Sequence, residues 1–316
     1  MKHFILSLFT LSLIVSCSKD NNNGEQPNQE TMLLPKQVVE RYTITERDQN
    51  GVETKIEHVD ELSYEIVNNK IASATTSRFE NKQNVGGSKL TIIYENDLPK
   101  TFIGTNIKNN KEESKSTYKY ENRKLVEEVN EWTTSRGKSG NIITYKYSGN
   151  KLAEIQEKGN DTTIKTPIIV QFVYVSDTEI KKTITSPYIL NGEEKTRTRT
   201  ITYTLDSEKR VVKSVEEDET SKDTKEFKYD DKKNYKHHSV HFTLNPDHFL
   251  DEKVMKNNLT SVKRIYENKQ DSKYNSEETS TYAHQYNDKG YPTRIEEVYK
   301  SSRETNSHTK TTEITY

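Results

Sequence analysis

The stretch that decides the fold is Tyr145-Lys146-Tyr147-Ser148-Gly149-Asn150-Lys151-Leu152, in which two tyrosines flank a lysine and precede a turn and an aliphatic residue. Residues two apart in a strand share one face, so the two tyrosines point one way and Lys146 points the other. The Gly-Asn pair supplies the backbone freedom that a tight turn needs. The stretch therefore predicts a β-hairpin with one packed face and one wet face.

Versions of this stretch recur almost from end to end of the chain. Further copies open at Tyr118, Phe172, Tyr203, Phe227 and His284. Tyr120, Tyr147 and Tyr174 are spaced 27 residues apart, and Tyr229 and Tyr286 are 57 apart, about two repeats. A fixed period of this size is typical of a repeated supersecondary unit, and a lone hairpin is marginal in water. The repeats therefore predict an all-β fold: one extended, strongly curved or barrel-like antiparallel sheet built from repeated β-hairpins.

The residues after each turn predict how the strands restart. An aliphatic or aromatic residue is followed four positions later by a second apolar one in the pairs Leu125/Val129, Ile180/Ile184, Val211/Val215 and Tyr291/Ile295. An even offset predicts that both members of a pair lie on one face. Leu152/Ile155 has an odd offset, which predicts a bulge or an early strand end there.

Three further segments carry turn or helix signals. Asn191-Gly192 predicts a hairpin turn, and Asp230-Asp231-Lys232 predicts another. Asn245-Pro246-Asp247 predicts the start of a short helix, because asparagine caps helices and proline suits their first turn.

The N-terminus predicts export. Residues 1–16 combine a short basic start with a twelve-residue apolar run that is too short to span a bilayer as a helix. Ile14-Val15-Ser16-Cys17 resembles a bacterial lipobox, which implies lipidation of Cys17 and a membrane anchor; an ordinary cleaved signal peptide is the alternative. Residues 17–35 are polar and predict a disordered tether, which leaves 36–316 as the β domain.

Two sequence resemblances extend this prediction. The Lys19-Asp20 step resembles the tag that sends Bacteroidota lipoproteins to the outer cell surface. The segments 256–258, 282–286 and 289–293 are similar to a family of Bacteroidota surface lipoproteins with an uncharacterised, porin-like curved β-sheet domain, and the hairpin cadence is similar to YD/RHS-type repeats. The resemblance implies an outer-membrane, surface-exposed location. The family brings no catalytic residues with it.

Composition and motifs argue against several function classes. The net charge is −1, which gives no electrostatic basis for binding nucleic acid. The sequence holds no nucleophile elbow, phosphate loop, zinc motif or cofactor motif, so we expect no enzyme and no cofactor. The cluster His237, His238 and His241 is better explained as exposed strand histidines than as a metal site. The pairs Glu127/Glu128, Glu216/Glu217 and Glu296/Glu297 are interpreted as solvated strand faces.

Two functions remain open from the sequence. One is a non-enzymatic surface lipoprotein that acts as a binding or structural module, with an unidentified protein, glycan or lipid partner. The other is a carrier that holds a lipid or another apolar ligand in an aromatic-lined concave sheet. Trp132 and the tyrosine rows suit either function, although their periodicity makes them core residues first. A transmembrane barrel is rejected, because the strands lack an apolar outward face.

Overall fold

The computed structural model describes residues 33–47, 53–135, 137–160, 164–237, 244–303 and 308–316. Eighteen strands form one sheet. They are β1 (Gln37–Arg47), β2 (Glu53–Val67), β3 (Lys70–Glu80), β4 (Gln83–Glu95), β5 (Leu98–Asn106), β6 (Glu112–Glu121), β7 (Lys124–Thr134), β8 (Gly137–Ser148), β9 (Lys151–Gly159), β10 (Ile168–Tyr174), β11 (Glu179–Leu190), β12 (Glu193–Leu205), β13 (Val211–Glu217), β14 (Ser221–Lys233), β15 (Asn257–Asn268), β16 (Ser276–Tyr286), β17 (Pro292–Ser301) and β18 (His308–Thr315). Three short 3-10 helices occupy His248–Leu250, Glu252–Val254 and Ser272–Tyr274.

The sheet is a closed up-and-down barrel. Each strand pairs antiparallel with the next one along the chain, from β1–β2 through β9–β10 to β17–β18. The first and last strands complete the ring, with Gln37 opposite Thr315 and Tyr42 opposite Lys310. The predicted all-β fold of repeated hairpins is therefore confirmed, and the alternative of barrel closure is the one that the chain adopts.

Several tight turns lie at one end of the barrel, which we call the bulged rim. The turn pairs Asn68-Asn69, Asn96-Asp97 and Asn122-Arg123 have positive φ at both positions, as type I′ hairpin turns require. Just past these turns the next strand carries one extra residue, so Lys119 faces Glu127 while Tyr120 faces Leu125. The extra residues, each a β-bulge, are Ala72, Lys100, Val126, Ala153, Val212 and Thr293.

The bulges correct the predicted side-chain parity. One extra residue reverses the alternation of side chains. The residue that shares the inner face with the first aliphatic residue after the turn therefore lies three positions later, not four. Leu152 and Ile155 are both buried, which confirms the predicted bulge at that hairpin. The same-face predictions for Leu125/Val129 and Val211/Val215 are wrong for this reason, whereas Tyr291 and Ile295 both pack into the core. Ile180/Ile184 is correct, because the β10–β11 pairing has no bulge.

Five copies of the repeat motif tie their hairpins to the previous one. The Tyr147 hydroxyl donates to the Leu125 carbonyl at 2.9 Å, and Lys124 lies 5.2 Å from the centre of the Tyr147 ring. Equivalent bonds run from Tyr94 to Ile71, from Tyr174 to Leu152, from Tyr229 to Val211 and from Tyr316 to Pro292. The Lys-aliphatic step of the motif thus supplies both a carbonyl acceptor and a cation for the next tyrosine ring.

The interior of the barrel is filled partly by its own chain. Eighteen strands enclose more space than strand side chains fill. The chain leaves β14 at the bulged rim and returns to β15, and we call the described residues 234–237 and 244–256 of this connection the internal segment. The centre of the Phe249 ring lies 6.3 Å from the ring centres of both Phe172 and Tyr174. The Asp247 carboxylate forms an ion pair with the Lys182 ammonium, with 2.6 Å between oxygen and nitrogen. The face that this segment touches is therefore the inner face.

The internal segment corrects two predictions from the sequence. The 57-residue interval from Tyr229 to Tyr286 is one repeat plus this insertion, not two repeats. Asp230-Asp231-Lys232 belongs to the end of β14 and forms no hairpin turn. Instead, Asp230 accepts hydrogen bonds from the Tyr286 hydroxyl and from Asn258, which pins the exit of the segment. The predicted short helix after Asn245 is present as the two 3-10 turns from His248 to Val254.

The packed core lines the barrel, and charged side chains cover its outside. Tyr145 is 5% exposed while its neighbour Lys146 is exposed, as the one-sided hairpin predicts. The exposed outward lysines include Lys89, Lys119, Lys146, Lys181 and Lys228. Exposed apolar residues such as Ile93, Ile142 and Val173 stand singly among them. No helix in the described ranges is long and apolar enough to cross a membrane.

Three residues of the predicted tether pack against the barrel. Leu34 is 7% exposed within the core, Pro35 is fully buried, and Leu33 packs half-buried against the core. The Lys36 amide nitrogen donates to the Thr315 carbonyl, so the chain joins the sheet beside its own C-terminal strand. Residues 17–32, which include Cys17, and the predicted signal peptide 1–16 lie outside the described residues, and lipidation of Cys17 stays a prediction.

Candidate functional site: an inner cavity beside Trp132

A cavity of about 240 Å³ lies inside the barrel, against the inner faces of β4 to β8. Its walls come from five strands and from the internal segment. The lining residues are Leu90, Phe102, Ser114, Ser116, Tyr118, Glu128, Asn130, Glu131, Trp132, Asn141, Ile143, Tyr145, Leu244 and Asn245. Trp132 stands two residues before the end of β7, near the rim opposite the bulged one, and is partly exposed. We call that opposite end the far rim.

Glu128 occupies a position that most other repeats fill with an apolar residue. It faces Tyr118 across the β6–β7 pair, three residues after the restart at Leu125. The corresponding residues of other hairpins are Ala74, Phe102, Ile155, Ser214, Val262 and Ile295. The bulge turns this carboxylate into the interior, where a side chain of its kind is costly to bury.

The environment of Glu128 disfavours its charge. Burial raises the pKa of this carboxyl, and the nearby Glu157 carboxylate raises it further. Hydrogen bonds from Asn130 and from the Tyr145 hydroxyl, which donates at 2.9 Å, oppose that rise only in part. The carboxylate is therefore largely desolvated and held in place, and no basic residue in the described part of the chain balances it.

Two amide oxygens in the cavity wall have no hydrogen-bond partner among the described residues. They are the Oδ1 atoms of Asn141 and Asn245, and both atoms are buried. Asn141 uses its amide nitrogen to donate to Glu157 at 2.5 Å, so its oxygen is left over. Its neighbour Asn130 has a partner, since the Ser116 hydroxyl donates to its amide oxygen. A buried acceptor without a donor is expensive, and each such atom calls for an explanation.

The cavity has a one-sided charge and several aromatic faces. The described lining contains the carboxylates of Glu128 and Glu131 and no lysine or arginine. Phe102 and Tyr118 pack edge to face with ring centres 5.0 Å apart, and Tyr145 and Trp132 add two more rings. The arrangement therefore offers hydrogen-bond acceptors and π-electron faces together, which suits a donor-rich or positively charged guest.

A second cavity of about 140 Å³ lies between the internal segment and β1, β16, β17 and β18. Its charges compensate one another: the Lys310 ammonium lies 3.3 Å from Glu40 and 3.9 Å from Glu297. The Tyr282 hydroxyl also donates to Glu297 at 3.1 Å. This cavity is smaller, and Lys310 compensates both of its carboxylates, so the cavity beside Trp132 is the better candidate site.

The other residues singled out in the sequence do not form a site in the described chain. The ring Nδ1 of His237 lies 2.9 Å from the Val254 carbonyl, while His238 and His241 fall outside the described residues. No group of three or more potential metal ligands occurs in the part of the chain that the structure covers. The bulges turn Glu128, Glu216 and Glu297 inward, so the interpretation of the glutamate pairs as solvated faces is wrong for Glu128 and Glu297, while Glu216 stays 35% exposed in an ion pair with Arg199.

Sequence reasoning missed Glu128, Asn130 and Asn141 as site residues. The bulge was foreseen only at Leu152, where two aliphatic residues marked the odd offset. At Leu125 the third residue is a glutamate, so the inner face carries no apolar marker there. Reading every hairpin with the Leu152/Ile155 offset would have placed Glu128 inside.

Comparisons with known proteins give structural likeness only. No model of a known protein family matches the sequence, and no curated protein matches it significantly. Similar solved structures include a porin-like protein from Bacteroides uniformis ATCC 8492, with a TM-score of 0.46 and 15% identity over 89% of this chain and 96% of that one. A porin-like protein from Bacteroides vulgatus ATCC 8482 has a TM-score of 0.39 and 13% identity over 90% of this chain and 98% of that one. Membership of the lipoprotein family and of the YD/RHS repeats stays a prediction.

Proposed function

We propose that this chain is a non-enzymatic surface lipoprotein whose barrel stands in water as a binding or structural module. A lipid on Cys17 holds it in the outer membrane, and the tether places the barrel at the cell surface. The single observation that carries this proposal is the combination of a charged outer face with an interior occupied by residues 234–237 and 244–256. A membrane-spanning strand needs a continuous apolar outward band, and an open pore needs an empty interior.

The module function is favoured over the apolar carrier by the lining of the interior. Tyr118, Tyr145 and Phe172 pack into one core with Leu244 and Leu250 of the internal segment. The cavity that remains beside Trp132 is walled by carboxylate and amide groups as well as rings. An acyl chain gains nothing from such groups and would leave them without partners.

Cell fractionation of the full chain tests the anchor. We expect the unaltered protein in the outer membrane and degraded when intact cells are treated with protease. Cys17→Ser removes the only thiol that can carry the lipid, so this variant should leave the membrane fraction. Asn21→Ala, a matched change in the tether, should behave like the unaltered protein. A Cys17→Ser protein that stays in the membrane fraction argues against the anchor.

Native mass spectrometry of the full Cys17→Ser chain, purified without detergent, tests the carrier alternative. The module function predicts the mass of the polypeptide alone. A reproducible one-to-one lipid adduct would favour the carrier, provided that enlarging a cavity residue, as in Ser116→Phe, removes it.

A further inference from the structure

We propose that the cavity beside Trp132 binds a small organic cation whose ammonium or guanidinium group pairs with Glu128. This inference rests on the proposed binding function and names the chemical class of its ligand. Three observations support it: the buried position of Glu128, the two amide oxygens without a donor, and the aromatic walls of the cavity.

The charge of Glu128 is the first argument. A buried carboxylate is tolerated when a cation pairs with it, and removing one partner of such a pair is strongly unfavourable. In the described lining no lysine or arginine approaches Glu128, although Lys182 pairs with Asp247 elsewhere in the same interior. The cavity is therefore built like an ion-pair site in which the ligand supplies the positive partner.

The amide oxygens supply the second argument. Asn141 Oδ1 and Asn245 Oδ1 line the same cavity and accept no hydrogen bond from the described chain. Both atoms are hydrogen-bond acceptors, as is the Glu128 carboxylate. A ligand that satisfies all three must therefore supply several hydrogen-bond donors. An ammonium group has three N–H donors and no acceptor, and a guanidinium group has five.

The aromatic walls and the size of the cavity narrow the ligand further. The rings of Phe102, Tyr118, Tyr145 and Trp132 suit a cation and its carbon stem, because a positive group near a ring face is attracted to it. A volume of about 240 Å³ corresponds to the space of about eight water molecules, so the guest is small. A neutral sugar would offer hydroxyl donors and a stacking face but would leave Glu128 uncompensated.

The fluorescence of Trp132 provides a direct test, since it is the only tryptophan in the chain and lines the cavity. The full Cys17→Ser chain is titrated at neutral pH with n-butylammonium, with 1-butanol as a neutral analogue of equal length and with glucose as a neutral polyol. We expect a saturable change with n-butylammonium and none with the two neutral compounds over the same concentrations.

Two variants connect the signal to Glu128. Glu128→Gln keeps an acceptor for the Tyr145 hydroxyl but removes the charge, and it should weaken n-butylammonium binding at least tenfold. Glu127→Gln removes the adjacent carboxylate, which faces outward opposite Lys119, and should leave binding unchanged. Near-ultraviolet circular dichroism of both variants checks that the barrel is intact.

Three results overturn the inference. They are no saturable signal with n-butylammonium, equal affinity in the Glu128→Gln protein, and saturation by glucose that Glu128→Gln does not alter. The last result assigns the cavity to neutral polyols instead. Fluorescence binding does not depend on cellular location, so these failures are distinct from a failure of the anchor, which fractionation alone detects.

Discussion

At the scale of single residues, the charge of Glu128 serves the proposed ligand site but lowers the stability of the folded protein. Burial raises the pKa of this carboxyl, so the folded chain holds its proton more tightly than the unfolded chain does. Stability contributed by the protonated form is lost as the pH rises through the raised pKa. Glu128→Gln should therefore unfold at a higher urea concentration than the unaltered protein at pH 7.5, and the difference should shrink toward about pH 5.

The matched variant separates this effect from a general loss of charge. Glu127→Gln lies on the outer face, where the carboxylate is near solvent, and should change the urea midpoint little at either pH. If Glu128→Gln destabilises the protein at pH 7.5, the carboxylate has a structural role that the geometry does not predict.

The packed and wet faces of one hairpin predict a second contrast between neighbouring residues. Tyr145→Ala removes a buried ring and its hydrogen bond to Glu128, and should cost about 3–5 kcal/mol in the free energy of unfolding. Lys146→Ala removes an exposed side chain and a surface ion pair with Glu154, and should cost less than about 1 kcal/mol. Chemical denaturation measures both costs, and similar values would contradict a one-sided sheet.

At the scale of the hairpin, the bulge is the feature that sets which side chains enter the barrel. Deleting Ala153 restores simple alternation in β9 and keeps Glu154 outward and Ile155 inward, because Ile155 then lies two residues after the inward Leu152. Ile155→Ala instead removes a buried side chain and should cost about 2–5 kcal/mol in the free energy of unfolding. We therefore expect the deletion to cost less than Ile155→Ala in urea denaturation. A deletion that costs more than Ile155→Ala would show that the bulge itself is required for the barrel.

The hairpin is also the scale at which the sequence was most informative. Two aromatic residues flanking a lysine, followed by a turn, predicted the strands, the turns and the inward tyrosines. The sequence did not reveal that an extra residue recurs in most hairpins, because a bulge is visible only when the displaced residue is apolar, as Ile155 is. Glu128 breaks that pattern, so its inward position required coordinates.

At the scale of the whole molecule, the internal segment is what turns a wide ring into a packed protein. Its length was visible only as a long interval between Tyr229 and Tyr286, which two ordinary repeats explain equally well. Its path depends on contacts with strands that are distant in sequence, such as the pair Lys182–Asp247. Local patterns carry no information about such contacts, so neither the insertion nor the cavity beneath it could be predicted.

Asn234 holds the two ends of the internal segment together. Its side-chain nitrogen lies 2.9 Å from the carbonyl oxygens of Lys253 and Met255, and the residue is 4% exposed. Asn234→Ala leaves those buried carbonyls without this donor and should cost about 1–3 kcal/mol. Hydrogen exchange should accelerate across 244–256 before the strands respond. Gln171→Ala, on the outer face, is the control, and uniform acceleration in the Asn234 variant would contradict a locally pinned segment.

The meeting of β1 with β18 fixes where the chain enters the barrel. Lys36 Nζ lies 3.1 Å from the Tyr316 carbonyl, and β1 begins at the bulged rim. A flexible chain of sixteen residues spans roughly 20–25 Å, so the proposed lipid anchor at Cys17 would keep this rim close to the bilayer. Under that proposal, Trp132 and the exposed hairpin tip from Tyr188 to Leu190 lie on the side of the barrel away from the membrane, where a diffusing solute reaches them first.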